Sequence, residues 1–234
     1  MRYPKTESPY VRDEETHLLV PGIFRRPDFA QIGRWLVTEK IDGTNIRVIL
    51  NGHLLGDPVL DGPVFASWDV RGRSDDATLP KRFVEEAFPH VSVSLLESAL
   101  NAIEPMRDPE RGYAMVVYGE GYGAGIQKGA CYSPTKQLRI FDVLTFKEGS
   151  RSLWRTWNDV VEVARVLGLS TVPVVWAEAS LAQVRLCVGD YSRVAQQHGM
   201  PPIQQEGVVA RTDPYLYDYR GNRVMFKLKS KDLA

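Results

Sequence analysis

Apolar residues recur along this chain with two different periods. Short runs rich in β-branched and aromatic residues occupy Trp35–Glu39, Asn45–Leu50, Val64–Val70, Tyr113–Tyr118, Leu138–Phe146, Val172–Trp176, Gly207–Arg211 and Arg223–Leu228, which reads as strands. Many of the connections are too short for the dozen or more residues of a parallel crossover, so most of the pairing is predicted to be antiparallel. A helical period is clearest at Ser92–Ile103, where Leu95, Leu96, Ala99, Leu100 and Ile103 share a face between Pro89 and Pro105. A second helix is predicted over Leu153–Leu167, with Ser152 as cap and Gly168 at the left-handed C-terminal position. A third lies within Leu181–Gln197. The first twenty-odd residues are expected to pack as an irregular arm. Clustered strands with a few helices between them indicate an α+β chain of mostly antiparallel sheets flanked by helices. No repeat, low-complexity tract or Ser/Gly linker cuts it, so a single domain over residues 1–234 is expected.

Composition narrows the function classes. With 234 residues and 44% hydrophobic positions, the chain can bury a sizeable core. The 29 basic residues balance 29 acidic ones, so no global positive field exists and any polyanion must meet a local cluster. No apolar run approaches a membrane span and the N-terminus is too polar for a signal peptide, which predicts a soluble cytoplasmic protein. Cys131 and Cys187 form no CxxC pair, which excludes a disulfide framework and a zinc site built mainly of thiolates; reduced, structural thiols are expected. His17, His53, His90 and His198 have no metal-ligand spacing. Neither a Gly-x-Ser-x-Gly elbow nor a Walker-type Gly-Lys-Ser/Thr loop is present, so serine hydrolases and P-loop enzymes are excluded at motif level.

Four stretches carry candidate chemistry. In Thr38–Asn45, Lys40 ends a strand and meets a glycine-containing turn, where it can project beside a backbone open to a ligand at Gly43; Asp42-Gly43 reads equally as a polar hairpin turn. Near the C-terminus, Lys227 and Lys229 are two apart on a strand and share a face, the geometry of a phosphate contact or of a solvated edge strand. Glu120 follows a strand and precedes glycines 121, 123, 125 and 129, with no amphipathic helix to make a dinucleotide site. Phe141 lies in an apolar strand, a core position by default.

Together these stretches resemble the covalent nucleotidyltransferase superfamily of polynucleotide ligases and mRNA capping enzymes, and within it most closely the RNA ligase 2 family. Glu39–Asn45 (EKIDGTN) is similar to its nucleophile motif, Tyr118–Gly129 to its ribose-contacting glutamate segment, and Arg139–Val143 to the strand whose aromatic covers the base. Gln205–Arg211 is similar to its EGxV motif and Lys227–Lys231 to its closing lysine pair. The five segments occur in the family's order, from about Arg34 onward.

The resemblance implies a ligase-type, ATP-grasp-like nucleotidyltransferase domain with a nucleotide cleft between sheets. It implies an ATP-dependent RNA ligase of RNA repair that seals 5′-phosphate and 3′-hydroxyl ends through a lysyl-AMP on Lys40 and an adenylylated 5′ end. An ordinary lysine amine is neutral in only about one molecule in 2,500 at pH 7, so Lys227, Lys229 and a divalent metal, Mg²⁺ or Mn²⁺, are expected to favour the neutral nucleophile. Catalytic roles are thereby implied for Lys40, Lys227, Lys229 and Glu206. Nucleotide contacts are implied for Glu39, Ile41, Asn45, Arg73, Glu120, Phe141, Glu206, Lys227 and Lys229, with Arg71 an alternative to Arg73. Glu206 and Glu120 are expected to hold the metal through water, with Asp142 a weaker candidate.

The expected partners are ATP and RNA ends, with DNA ends possible, and no membrane. Neither the C-terminal domain that many relatives carry nor an OB-fold is expected. A partner protein supplying grip on nucleic acid is therefore a further expectation. The alternatives are a DNA ligase, a GTP-using capping-type enzyme, or a non-catalytic nucleotide- or nucleic-acid-binding module of the same fold.

Overall fold

A computed structural model of the chain describes residues 2–53, 65–105, 112–127 and 131–233. Chain order runs β1 (Tyr10–Arg12), β2 (Leu19–Phe24), β3 (Trp35–Lys40), β4 (Thr44–His53), β5 (Phe65–Arg71), α1 (Phe83–Ala87), α2 (Val93–Ile103), β6 (Tyr113–Tyr122) and β7 (Gln137–Lys147). It continues with β8 (Leu153–Trp154), α3 (Trp157–Val166), β9 (Ser170–Thr171), β10 (Val174–Ala179), α4 (Leu181–Leu186), α5 (Arg193–Gln197), β11 (Gly207–Arg211) and β12 (Met225–Lys229). Val64, Lys128 and Gly129, named in the strand and motif assignments above, lie outside the described residues.

The chain divides into two compact units, one of Met1–Tyr3, Gly43–Ile126 and Thr135–Thr171, the other of Pro4–Asp42, Gln127–Pro134 and Val172–Ala234. The first holds a sheet in the order β5-β4-β6-β7-β8, with β9 pairing parallel to β7. The other pairs in this sheet are antiparallel, as the short connections predict. Ile46, Val48, Leu50, Met115 and Val117 are buried on one side of it. Helices cover that side: α2 packs on β4, β5 and α3, and the Tyr113 hydroxyl donates to Glu97 of α2 at 2.5 Å. The opposite side carries Asn45, Arg47, Tyr118 and Glu120, set in line by the β4–β6 register of Arg47 with Tyr118 and Asn45 with Glu120.

The second unit holds the sheet β10-β3-β11-β12, antiparallel throughout, and the separate β1–β2 pair. Trp35, Val37, Val208, Ala210, Phe226 and Leu228 point to one side of the four-stranded sheet and are fully buried with Phe29, Val184 and Val188. The Trp35 and Phe226 rings meet nearly edge to face at 4.7 Å.

Three local expectations change. The N-terminal stretch contains a β-hairpin instead of running irregularly, because the Asp13 carboxylate accepts from the Glu15 and Thr16 amides and the Thr16 hydroxyl, and so closes a turn. The helix predicted over Leu153–Leu167 begins at Trp157. Thr156 and Asp159 form a capping box there that outcompetes Ser152, and Leu153–Trp154 pairs with β7 instead. Leu181–Gln197 holds two short helices, each with a serine N-cap, at Ser180 and Ser192. The helix at Val93–Ile103 follows its pattern, with the Ser92 side chain accepting from the Leu95 amide.

Candidate active site

Register in the four-stranded sheet assembles the lysine cluster. Gly207 of β11 lies opposite Lys40 of β3 on one side and Lys229 of β12 on the other. Side chains alternate along each strand, so Thr38, Lys40, Val209, Lys227 and Lys229 all face away from the aromatic core. Gly207 adopts φ +153°, and a Cβ there would stand 2.0 Å from the Leu228 carbonyl oxygen. Glycine is therefore required, and it leaves the strip between the two lysines without a side chain.

Glu206, immediately before β11, fills the gap. One carboxylate oxygen takes a hydrogen bond from Lys40 Nζ, and the other lies 2.5 Å from Lys229 Nζ. All three side chains are mostly buried, at 17–23% exposure. Burial works to raise the Glu206 pKa, but the charge on Lys40 and the hydrogen bonds from Lys229 and Lys40 outweigh it, and the carboxyl is held below its ordinary range. Lys227 lies two residues back on the same face, and its amide donates to the Glu7 carbonyl at 2.9 Å.

The structure does not bring Glu39 and Ile41 to this face. Alternation sends Glu39 to the core side, where its carboxylate accepts from the Ser192 hydroxyl (2.5 Å) and from the amides of Arg193 (2.9 Å) and Val194 (3.2 Å). It thus sits over the first turn of α5, where a negative charge is favoured. The Ile41 side chain is buried. The turn that follows is tied down by the Tyr132 hydroxyl, which accepts from the Asp42 amide at 3.3 Å. Burial is the main reason that the Tyr132 hydroxyl has its pKa pushed up to about 12.

The remaining candidates lie in the other unit. Asn45 and Glu120 are direct cross-strand neighbours on the face away from the helices. Gly43 is needed beside them, because a Cβ there would stand 2.3 Å from the Gly121 carbonyl oxygen and 2.9 Å from Glu120 Cγ. Asn45 Oδ1 and, two residues on, Arg47 Nη1 are buried without a hydrogen-bond partner among the described residues. Such atoms cost about 1–3 kcal/mol each unless water or a ligand satisfies them. Arg47, which sequence reasoning missed, is wholly buried, and its guanidinium donates to the Gly72 carbonyl (2.7 Å) and Asp75 (2.9 Å). It holds the loop that carries Arg73, which is exposed, whereas Arg71 is paired with Asp69.

Phe141 is the extra residue of a β-bulge, since Asp142 pairs with Tyr118 and Ile140 with Gly119. Its ring meets Tyr3 edge to face at 5.1 Å, and the Tyr3 hydroxyl donates to Asp142 at 2.8 Å. Tyr118 and Trp154 complete this aromatic group.

No group of three or more His, Cys, Asp or Glu that could cage a metal occurs among the described residues. Both Glu206 oxygens are already bonded to lysines, so this donor set suits a divalent ion carried mainly by phosphate oxygens and water, the usual manner for Mg²⁺. Cys131 and Cys187 are both free thiols. No helix of the described residues is long and apolar enough to cross a membrane.

Residues 33–229 match the family described as RNA ligase, a span that runs through both units. No curated protein sequence matches the chain. Among solved structures, the chain is similar to a lysine-to-alanine mutant of the Naegleria gruberi RNA ligase with ATP and Mn, at 16% identity and a TM-score of 0.54, covering 88% of this chain and 52% of that one. A second such mutant with ATP and Mn gives 16% identity and a TM-score of 0.53 over 98% and 58%. The same ligase with PPi gives 17% identity and 0.50 over 88% and 52%. The chain thus spans little more than half the length of these structures, and the likeness is one of fold.

Proposed function

Because the chain belongs to the RNA ligase family, we propose that it is an ATP-dependent RNA ligase joining 5′-phosphate to 3′-hydroxyl ends through a lysyl-AMP intermediate. The observation that carries this reading is the Lys40–Glu206–Lys229 chain of contacts across a bare glycine. An amine that is to act as nucleophile must shed its proton, and here a carboxylate orients it on one side and a second cation stands close by.

In this reading Lys40 Nζ attacks the α-phosphorus of ATP. A P–N bond forms from the neutral amine, the bond to pyrophosphate breaks, and the proton that nitrogen sheds passes to water, with Glu206 orienting the amine. Lys227 and Lys229 bind phosphate oxygens and offset the charge that develops on them. AMP then passes to a 5′-phosphate end, and a 3′-hydroxyl displaces it to leave a phosphodiester. Glu120 accepts from the ribose, Phe141 stacks on the base, and Asn45 and Arg73 contact the nucleotide or the incoming 5′ end. Mg²⁺ or Mn²⁺, held through water near Glu206 or Glu120, would supply further charge neutralisation. Glu39 contributes by fixing α5 against the strand that ends in Lys40.

Incubation with α-labelled ATP and Mg²⁺ tests the first step. Covalent label that disappears in Lys40→Ala is expected, whereas no label, or label that persists in that variant, overturns the proposal. Labelling with GTP, and sealing assays on nicked RNA and DNA duplexes, test nucleotide and strand preference.

A further inference from the structure

A cavity of about 330 Å³ opens beside the lysine cluster, wholly within the second unit. Lys5, Arg12, Arg25, Lys227, Lys229 and Lys231 line it, against only Glu7 and Asp232. In a chain with no net charge, this is the local concentration of positive charge that a polyanion requires.

The cavity is built, not incidental. The arm that forms one wall is fastened to β12 by the Lys227 amide bond to the Glu7 carbonyl, and its Ser8 is buried with the hydroxyl on the Tyr10 carbonyl. Arg12 forks onto Asp232 with bonds of 2.8 and 3.2 Å. Arg12 is set against Asp232 and Arg25 stands 3.9 Å from Glu7, while Lys5, Lys227, Lys229 and Lys231 also line the space, Lys229 with its ammonium on Glu206. Like charges gathered in one partly enclosed space repel, and an anion with several acceptor oxygens relieves that repulsion. Lysine ammoniums act as point charges for phosphate.

We infer that this cavity is a binding site for phosphate groups, in which Lys5 and Arg25 extend the cationic surface begun by Lys227 and Lys229. The inference rests on the reading of Lys227 and Lys229 as phosphate-binding residues. Two sources have this chemistry: pyrophosphate released from the nucleotide, and the 5′-phosphorylated end of an RNA strand.

The test uses the full chain and the double variant Lys5→Ala/Arg25→Ala, both positions being exposed and outside the proposed transfer machinery. Labelled pyrophosphate is measured by equilibrium dialysis. Fluorescent RNA carrying a 5′-phosphate, and the same RNA with a 5′-hydroxyl, are measured by anisotropy. The expected result is about tenfold weaker binding of one phosphate probe, equal to about 1.4 kcal/mol, at an unchanged melting temperature. Loss confined to pyrophosphate identifies the leaving group as occupant, and loss confined to 5′-phosphorylated RNA identifies the strand end. If the double variant melts early, single Lys5→Gln and Arg25→Gln variants that retain the wild-type melting temperature replace it. Binding of both probes within twofold of wild type, or no binding by wild type, overturns the inference. Neither readout requires AMP transfer. A protein that takes no label from ATP yet loses phosphate binding on substitution would uphold the cavity and reject the ligase reading.

Discussion

Lys40 and Lys229 stand on the same face of one sheet, on either side of Gly207, with the Glu206 carboxylate joining their ammonium groups. Two cations brought this close by strand register are tolerable only while an anion lies between them. That anion is a side chain here and, in the proposed reaction, is joined by the nucleotide's phosphates.

Gly207→Ala is expected to damage both stability and labelling. The substitution puts a methyl against the Leu228 carbonyl oxygen and places an alanine at φ +153°. Strain of this kind costs about 1–3 kcal/mol, which lowers the melting temperature of a chain this size by about 3–10 °C. Thermal melts and covalent labelling by ATP should fall together, and a variant that melts like wild type contradicts the account.

The Glu206 carboxyl gives stability a defined pH dependence. Its folded pKa lies below the ordinary value of 4.5, so the unfolded chain binds the proton more readily. The group's contribution is therefore fully present above about pH 4.5 and is lost as pH falls through the lower, folded value. Glu206→Gln should cost about 2 kcal/mol near neutral pH, less than the 3–5 of a fully buried pair because its side chains keep some exposure. Urea titrations across pH 3–7 should show the gap between wild type and variant narrowing toward acid.

Much of this arrangement was legible before the fold was known, and the exceptions have physical causes. The short β-branched run at Gly207–Arg211 gives that strand's bounds, and the spacing of Lys227 and Lys229 gives their common face. Alternation also separates Glu39 from Lys40, yet a motif read as a string treats them as neighbours with a shared task. The Glu206 bridge was hidden because it depends on which strands are adjacent, and β3, β11 and β12 meet across long stretches of chain. Arg47 gave no signal at all, since an arginine inside an apolar strand looks exposed until the loop at Gly72–Asp75 folds over it.

Arg47 and Arg73 should separate cleanly in experiment. Arg47→Met removes both bonds to the loop and is expected to destabilise the fold by about 2–4 kcal/mol in urea titrations. Removing Arg47, whose hydrogen bond and charge hold Asp75 low, should also let that carboxyl drift up toward its ordinary value. Arg73→Ala, at an exposed loop position, should leave stability unchanged and raise the KM for ATP about 5- to 30-fold, the loss of one charged contact. Equal stability losses in the two variants would refute this division of labour.

Phe141 and Tyr3 make the same kind of contrast at the aromatic group. Phe141 is half-buried at its bulge, so Phe141→Leu keeps most of the packing with Tyr3, Tyr118 and Trp154 while removing the ring proposed to stack on the base. Base–aromatic stacking is worth about 1–3 kcal/mol, which predicts a KM for ATP raised about 5- to 150-fold with a melting temperature close to wild type. Tyr3→Phe deletes only the hydroxyl bond to Asp142 and should cost about 1 kcal/mol of stability with a small effect on KM. If Tyr3→Phe shifts KM as far as Phe141→Leu does, the Tyr3–Asp142 bond sets the geometry of the base contact, and stacking by Phe141 alone is too simple an account.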